Sequence, residues 1–421
     1  MNGERGRFLE TAEHIGRRLC RDAVWTEGRC NWLGWTMEPR GGQWVTAYRA
    51  MGSSLYDGTS GIGLFLARLA SATGDPIIRD TARAALAQAL TAVDGLAATG
   101  EYGFYSALSG NAWAFREGGR LLEDAALAAR GEAALLLAAG LAPNRQRLDV
   151  MNGSAGLIPA LLEAAEATGR EELTETAMRH GEHLLALAER GDDGWSWETL
   201  GMPNERHLLG FAHGASGIAC ALAALGRAAG RADFVAGARE AVRYERSHFR
   251  PAEGNWPDLR SFARPPQEAE PPCVVAWCHG ASGIGMARLR LHDLLPEEPA
   301  LLEEALIAVR TTTAALTAAP HGITNFSLCH GDSGNADLLI TAAGLLSRPE
   351  LRGEAESVAI RAIGQFEEQG LPWPCGVSGA GETPNLFLGL AGIGYFLLRL
   401  YDSEANPKIL LPAASPGARV L

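Results

Sequence analysis

Apolar and polar residues recur along the chain in one repeated pattern. A glycine turn, G-x-x-G or a relic of it, is followed each time by a mostly apolar stretch of helical length, as in GTSGIGLFLARLA and HGASGIACALAALG. The intervals between turns run from 46 residues (Gly110 to Gly156) to 66 residues (Gly217 to Gly283), which is room for two helices and two connections. The second glycine of the turn falls at seven positions: Gly61, Gly110, Gly156, Gly217, Gly283, Gly334 and Gly392.

The stretches between the turns have a different character. Ala- and Leu-rich segments with scattered charges, typical of half-buried outer helices, lie at residues 81–96, 121–139, 172–189 and 234–245. The segments after the turns are more apolar, which predicts inner, fully buried helices, and strand-like alternation is almost absent. Because such repeats must stack to bury both faces, seven helical hairpins can close into a ring. We predict an all-α fold, an α/α toroid.

The chain length allows other architectures. A chain of 421 residues is two to three times the usual domain length, so length alone predicts two or three domains. The regular repeat instead favours a single domain over residues 1–421. An open solenoid is the alternative arrangement of the same hairpins.

Composition and charge exclude several classes of function. Hydrophobic residues make up 47% and charged residues 20% of the chain, which is typical of a globular protein. A net charge of −12 argues against nucleic acid or an anionic membrane as the main partner. No apolar run approaches the roughly 18 residues of a membrane span, and charges occupy the N-terminal positions where a signal peptide is apolar. Seven cysteines, an odd number, indicate reduced thiols and a cytoplasmic protein.

The residues that immediately precede three of the glycine turns carry candidate chemistry. Cys278 and Cys329 stand at equivalent turns of neighbouring repeats, and His330 follows the second of them. Thiolate and imidazole are ligands that zinc prefers, and three protein ligands leave a fourth position open. These residues predict a zinc site, although the spacing matches no zinc finger and a buried cysteine is also a common small apolar residue. The other five cysteines, Cys20, Cys30, Cys220, Cys273 and Cys375, are expected to be non-ligating.

Two further histidines and one carboxylate belong to the same set of turns. His213 has the His-Gly position of the later repeats without a neighbouring cysteine, so it is a candidate proton carrier, or else a helix-capping residue. Asp149 is placed to orient His213 or raise its pKa, and a helix N-cap is its competing role. His279 shares the His-Gly position, and together with Trp277 it is expected to line the substrate pocket.

Two polar, aromatic and proline-rich segments interrupt the repeats. Residues 192–209 and 250–272 each precede a His-Gly turn and contain Trp195, Trp197 and Trp256. Long loops in a compact protein are often lids or binding loops. We expect both to overhang the site and contact substrate, with plain surface connection as the alternative.

The chain as a whole resembles the lanthionine synthetase C-like cyclases. The resemblance covers residues 12–411 and rests on the seven turns and on FAHG at 211–214, WCHG at 277–280 and CHG at 329–331. The segments SSLYDG at 53–58 and NLFLGLAG at 385–392 are most similar to the cyclase portion of the bifunctional class II enzymes. The resemblance implies seven inner and seven outer helices around one zinc ion.

The resemblance also implies an activity and its residues. Members of this family add a cysteine thiol of a precursor peptide, made of leader and core, to dehydroalanine or dehydrobutyrine, which gives lanthionine or methyllanthionine rings. The zinc ligands carry over to Cys278, Cys329 and His330. The active-site histidine carries over to His213, and the acidic residue of the third repeat to Asp149.

The expected partners follow from one departure from the class II pattern. Class II enzymes carry a large dehydratase domain before the cyclase, for which this sequence has no room. We therefore expect either a stand-alone cyclase that follows a separate dehydratase, or an excised module.

Two other functions stay open. One is addition of a small thiol such as glutathione to dehydroamino acids, and the other is a non-catalytic scaffold that binds a modified peptide. The intact ligand set argues against the scaffold, which has no need of three metal ligands.

Overall fold

Seven helices follow the seven glycine turns and form the inner layer of the protein. The computed structural model describes residues 2–40, 43–201, 206–261, 270–318 and 322–412. The inner helices, numbered in chain order with all others, are mostly buried along their length. They are α2 (Thr59–Thr73), α5 (Leu108–Leu121), α7 (Ser154–Thr168), α9 (Ala215–Ala229), α11 (Ala281–Leu294), α13 (Asp332–Leu345) and α15 (Leu390–Tyr401).

An outer layer of helices packs around this inner layer, and each outer helix is buried on one face only. Its members are α1 (Asn2–Asp22), α3 (Pro76–Leu90), α6 (Ala125–Gly140), α8 (Glu171–Leu187), α10 (Ala232–Ser247), α12 (Pro299–Ala318) and α14 (Pro349–Ala362). A short helix, α4 (Val93–Ala98), follows α3, and α14 runs into a π-helical turn at Ile363–Glu367. Within the described residues, no helix is both long and apolar enough to cross a lipid bilayer.

The two layers close into a ring, which confirms the predicted toroid and excludes the open solenoid. Each inner helix contacts the next one along the chain, and the last, α15, contacts the first, α2. Six outer helices pack on the inner helix that precedes them. The seventh, α1, packs on α15, so the N-terminal helix completes the last hairpin.

The described residues also contain three short antiparallel hairpins that were not predicted. They are β1 (Val24–Thr26) with β2 (Arg29–Asn31), β3 (Leu33–Arg40) with β4 (Gln43–Ala50), and β5 (Glu189–Gly191) with β6 (Gly194–Ser196). The β3–β4 hairpin is held to the loop before α15, because the hydroxyl of Thr383 donates to the Trp35 carbonyl at 2.8 Å and that of Thr46 to the Ser378 carbonyl at 3.1 Å. These contacts join residues more than 300 positions apart, so local pattern does not reveal them.

Close backbone packing explains why the glycines recur. At all seven turns, a Cβ on the second glycine would lie within 3.0 Å of the carbonyl oxygen six residues earlier, a separation that real Cβ atoms essentially never show. Only glycine lets the helix start lie directly against that carbonyl. The glycine and carbonyl partners are Gly61 and Leu55, Gly110 and Phe104, Gly156 and Val150, Gly217 and Phe211, Gly283 and Trp277, Gly334 and Leu328, and Gly392 and Leu386.

The residue after each of these carbonyls belongs to a circle of backbone hydrogen bonds. Within the described chain, six N–H···O=C bonds of 2.9–3.4 Å link the residues of this circle in ring order, including one from Phe387 back to Tyr56. The seven turns are therefore joined to one another as well as to their own helices. The members of the circle are Tyr56, Tyr105, Met151, Ala212, Cys278, Cys329 and Phe387.

Aromatic side chains and the C-terminal segment fill the middle of the ring. The rings of Tyr105, Trp277 and Phe387, from three different repeats, lie 5.0–5.2 Å apart between centroids. The Tyr105 hydroxyl donates to the Ile409 carbonyl at 2.9 Å, and the Trp277 indole N–H donates to the Leu410 carbonyl at 2.8 Å. The chain after α15 thus returns to the centre of the ring.

We expect substitution at a turn glycine to be much more costly than substitution at an unconstrained glycine. Gly110→Ala should lower the free energy of unfolding by about 1–3 kcal/mol or more, because its Cβ would overlap the Phe104 carbonyl. Gly353 in α14 has no atom within 4 Å of its Cβ position, so Gly353→Ala should raise stability by about 0.5–1 kcal/mol. Denaturant unfolding measures both, and equal effects would contradict the role of close packing.

Candidate metal centre and active site

The turns bring the three predicted metal ligands together at the axis. Cys278 and Cys329 occupy equivalent positions of neighbouring repeats, and the Cys278 N–H donates to the Cys329 carbonyl at 3.4 Å. His330 follows Cys329 in the same turn. The two sulfurs and an imidazole nitrogen of His330 all lie within 4.8 Å of one another. This is the one group of three or more potential ligands, within the described ranges, that is gathered closely enough to hold a metal ion.

The orientation of His330 fits metal binding. Its Nε2 donates to the carbonyl of Gly376 at 2.9 Å, which leaves Nδ1 for a metal. Metal-ligating histidines commonly donate their other ring N–H to a carbonyl in this way. A Cβ on Gly376 would lie 2.7 Å from the Ser327 hydroxyl and 3.1 Å from Nε2 of His330, so glycine makes room for this contact. Two cysteines and one histidine in this arrangement fit a zinc site with an open fourth position.

The two thiols influence one another strongly. A hydrogen bond with Cys329, together with burial, holds the pKa of Cys278 well above the usual thiol range. The pKa of Cys329 is lowered by hydrogen bonds from Cys278 and from the phenol of Tyr56. Of the two cysteines, Cys329 therefore loses its proton more readily. The resulting thiolate is the form that binds a metal.

His213 lies in the same cavity and is held by Asp149. Nδ1 of His213 donates to Oδ2 of Asp149 at 2.6 Å, while Oδ1 accepts the N–H of Asn152 at 2.7 Å. Burial on its own lowers the pKa of His213, but the charge of Asp149 and its hydrogen bond outweigh this, so the pKa is raised. The N-caps of the adjoining helices are Gly153 and Gly214, so neither Asp149 nor His213 is a helix N-cap.

A buried carboxylate on the outer layer supports the His213 turn. Oε1 of Glu245, on α10, accepts the backbone N–H groups of Gly210 at 2.7 Å and Ser216 at 3.0 Å, which flank His213. Oε2 of the same carboxylate lies 3.0 Å from the buried guanidinium of Arg288. The turn is therefore fixed on both sides of the histidine.

His279 and Trp277 both line the cavity, and both are almost fully buried. Nδ1 of His279 bonds to the Leu209 carbonyl at 3.2 Å, and burial and the charge of Arg260 lower its pKa to about 3. His279 is therefore neutral and directed into the protein. Trp277 lines the cavity and packs against the rings of Tyr105 and Phe387.

The cavity also contains two residues that sequence reasoning did not single out. Its volume is about 440 Å³, and Tyr56 and Arg260 line it together with the ligand triad and His213. Tyr56 is the first-repeat equivalent of Cys278 and Cys329, so alignment of the repeats could have found it. Arg260 comes from an irregular loop, for which the sequence contains no positional signal.

None of the three tryptophans in the two long segments lines this cavity, and contact of those segments with substrate stays a prediction. Trp197 is buried and donates to the Leu184 carbonyl, Trp256 is buried against Phe249, and Trp195 lies under the guanidinium of Arg190. Within the two long segments, residues 202–205 and 262–269 lie outside the described residues. Among the described residues of the second loop, Arg260 reaches the cavity.

Comparisons with known proteins agree with this architecture. The family model for lanthionine synthetase C-like protein matches residues 49–411. Nisin cyclase is similar in structure, with a TM-score of 0.59 and 20% identity over 86% of this chain and 92% of that one. A cellobiose 2-epimerase from Spirochaeta thermophila is more distant, at a TM-score of 0.43 and 12% identity over 95% and 98% of the two chains. The likeness to nisin cyclase shows the fold, and the family model covers most of the chain, so the protein belongs to the lanthionine synthetase C-like family.

Proposed function

We propose that this protein is a zinc-dependent lanthipeptide cyclase. The observation that carries the proposal is the meeting of Cys278, Cys329 and His330 with the His213–Asp149 pair in one cavity. Membership of the family and structural likeness to nisin cyclase support it. The substrate would be a dehydrated precursor peptide of leader and core, supplied by a separate dehydratase.

The proposed reaction is a Michael-type addition. A zinc ion held by Cys278, Cys329 and His330 would lower the pKa of the incoming peptide thiol, so that the nucleophile exists at neutral pH. The peptide sulfur attacks the β-carbon of dehydroalanine or dehydrobutyrine, and the α-carbon then needs one proton. The product is a lanthionine or methyllanthionine thioether ring.

His213 is assigned the delivery of that proton. Its Nδ1–H is engaged by Asp149, so the remaining ring nitrogen, Nε2, is the one available to substrate. The raised pKa of His213 favours a protonated imidazole that can act as general acid. Asp149 is the positioning residue, because it fixes the ring and its tautomer.

The state of the cysteines supports a reducing compartment. All seven lie within the described residues and none forms a disulfide. Disulfides are rare in cytosolic proteins, where thiols are kept reduced. We therefore propose that the protein works in the cytoplasm.

Removal of one proposed ligand should abolish metal binding without unfolding the ring. Cys329→Ala should lose close to one equivalent of zinc by elemental analysis, while circular dichroism stays helical because the inner and outer helices supply most of the buried apolar area. Cys220→Ala, in α9 and outside the ligand triad, is the matched control and should retain zinc. Full zinc retention by Cys329→Ala would contradict the ligand assignment.

Removal of the proposed proton donor should slow the reaction without affecting the metal. His213→Asn should keep zinc and bind peptide while ring closure slows by about 10²- to 10⁴-fold, the usual contribution of general acid catalysis. Asp149→Asn should show a smaller loss of the same kind. Ring closure is followed by mass spectrometry of a dehydrated peptide after treatment with a thiol-blocking reagent. If His213→Asn loses zinc, the histidine is a ligand and the assigned role is wrong.

The same assay separates cyclisation from addition of a small thiol. The wild-type protein should protect peptide cysteines from the blocking reagent without a gain in peptide mass, because a ring forms by internal addition. If glutathione is instead added to the dehydrated residues while the peptide cysteines stay free, the protein uses small thiols and the cyclase proposal fails.

A further inference from the structure

One strongly basic side chain in the cavity has no part in the reaction as assigned so far. Arg260 lines the cavity with both thiols and His213. Its charge interacts with Cys278 and Cys329, and it also influences the pKa of His213 and of His279. A guanidinium in this place acts on whatever charge develops in the cavity.

Asp258 fixes this guanidinium in one orientation. Nε of Arg260 lies 3.0 and 3.1 Å from the two carboxylate oxygens of Asp258, and Nη2 lies 2.6 Å from Oδ2. The backbone N–H of Arg260 also donates to Oδ1 at 3.1 Å. Asp258 is almost fully buried, whereas the side chain of Arg260 is 28% exposed. A paired, buried carboxylate holds the arginine at the wall of the cavity before any substrate arrives.

The proposed reaction creates a negative charge that none of the groups assigned so far receives. When the sulfur bonds to the β-carbon, the electron pair of the Cα=Cβ bond moves onto the α-carbon and the adjacent carbonyl oxygen as an enolate. Proton transfer to the α-carbon then returns the carbonyl. The thiol loses one proton and the α-carbon gains one, so the reaction needs no oxidant or reductant. A fixed hydrogen-bond donor at the carbonyl oxygen stabilises the enolate in the transition state.

We propose that Arg260 binds the carbonyl oxygen of the dehydroamino acid and stabilises the enolate, with Asp258 as its positioning residue. The inference rests on the proposed cyclase function and adds the group that receives the developing charge. The other described polar residues that line the cavity beside the proposed ligands already have a role or a partner. His213 is assigned the proton, Tyr56 is hydrogen-bonded to Cys329, and Nδ1 of His279 is hydrogen-bonded to the Leu209 carbonyl. A guanidinium stays charged throughout the reaction and offers several donors in a rigid plane.

The first experiment compares two arginines of the same loop. Arg250 is as exposed as Arg260 (29% against 28%), pairs with Glu253, and is not among the described residues that line the cavity. Arg260→Met should lower kcat for ring closure by about 10²- to 10³-fold, the typical cost of losing one oxyanion donor, with a small change in KM and full zinc content. Arg250→Met should cyclise at the wild-type rate. A wild-type rate for Arg260→Met would overturn the proposal.

Chemical rescue tests whether the guanidinium acts directly. Arg260→Ala should recover part of its kcat when millimolar guanidinium ion is added, whereas His213→Asn should not. Arg260→Lys should fall between wild type and Arg260→Met, because an ammonium keeps the charge but cannot reproduce the planar pairing with Asp258. Asp258→Asn should lower kcat less than Arg260→Met does. Absence of rescue, or an effect confined to KM, would assign Arg260 to peptide binding or folding and overturn the enolate role.

A binding measurement separates this proposal from the cyclase function itself. A dehydrated peptide whose cysteines are replaced by serine cannot cyclise, so calorimetry reports its binding alone. Arg260→Met should bind it within a few-fold of wild type, because the enolate forms only during reaction. If the wild-type protein forms no rings, the proposed function fails. If wild type cyclises and Arg260→Met loses zinc or peptide binding in proportion to its rate, the inference about Arg260 fails alone.

Discussion

Close contact between a glycine and a carbonyl group, repeated seven times, determines where everything else in this protein lies. Each inner helix starts with a glycine packed against the carbonyl six residues earlier, so the same contact recurs at every turn. The residue after that carbonyl belongs to the circle of backbone hydrogen bonds. The bonds from Phe387 to Tyr56 and from Tyr56 to Tyr105 join the last repeat to the first and the first to the second. A larger residue at a second glycine would move the turn and, with it, one member of this circle.

The chemistry of the site follows from which residues occupy the circle. Two neighbouring repeats place Cys278 and Cys329 there, and the position after each is a histidine, His279 or His330. Equivalent positions place these histidines in different surroundings: Nδ1 of His279 bonds to the Leu209 carbonyl inside the protein, whereas Nε2 of His330 bonds to the Gly376 carbonyl and leaves Nδ1 available to a metal. Local partners, rather than residue type, decide which imidazole is available to a metal.

Two buried carboxylates orient the basic side chains of the cavity. Asp149 orients His213, and Asp258 orients Arg260. Each acid is almost fully buried, while the side chain of each basic partner is 28% exposed and lines the same cavity. A carboxylate in such a place is stabilised by its pairing, and it fixes the basic group without itself reaching substrate. The cavity therefore contains two oriented basic side chains, His213 and Arg260, together with the thiols of Cys278 and Cys329.

The regular repeat made the inner helices and much of the candidate site predictable from the sequence. The contributions of irregular segments were not predictable. Position along the repeat correctly placed the inner helices, and Cys278, Cys329, His330 and His213 share one cavity because equivalent positions in a ring converge on its axis. Partners distant in sequence left no such signal: α1 completes the hairpin of α15, and Arg260 reaches the cavity from a loop. Trp197 and Trp256 belong to segments that were expected to contact substrate, but both indoles are buried in the protein. Five positions of the circle carry Tyr56, Tyr105, Met151, Ala212 and Phe387 in place of a cysteine, so the fold needs no metal to hold a turn in place. A metal bound at the two cysteine turns would therefore be free to serve chemistry, unlike a structural zinc whose loss unfolds its domain.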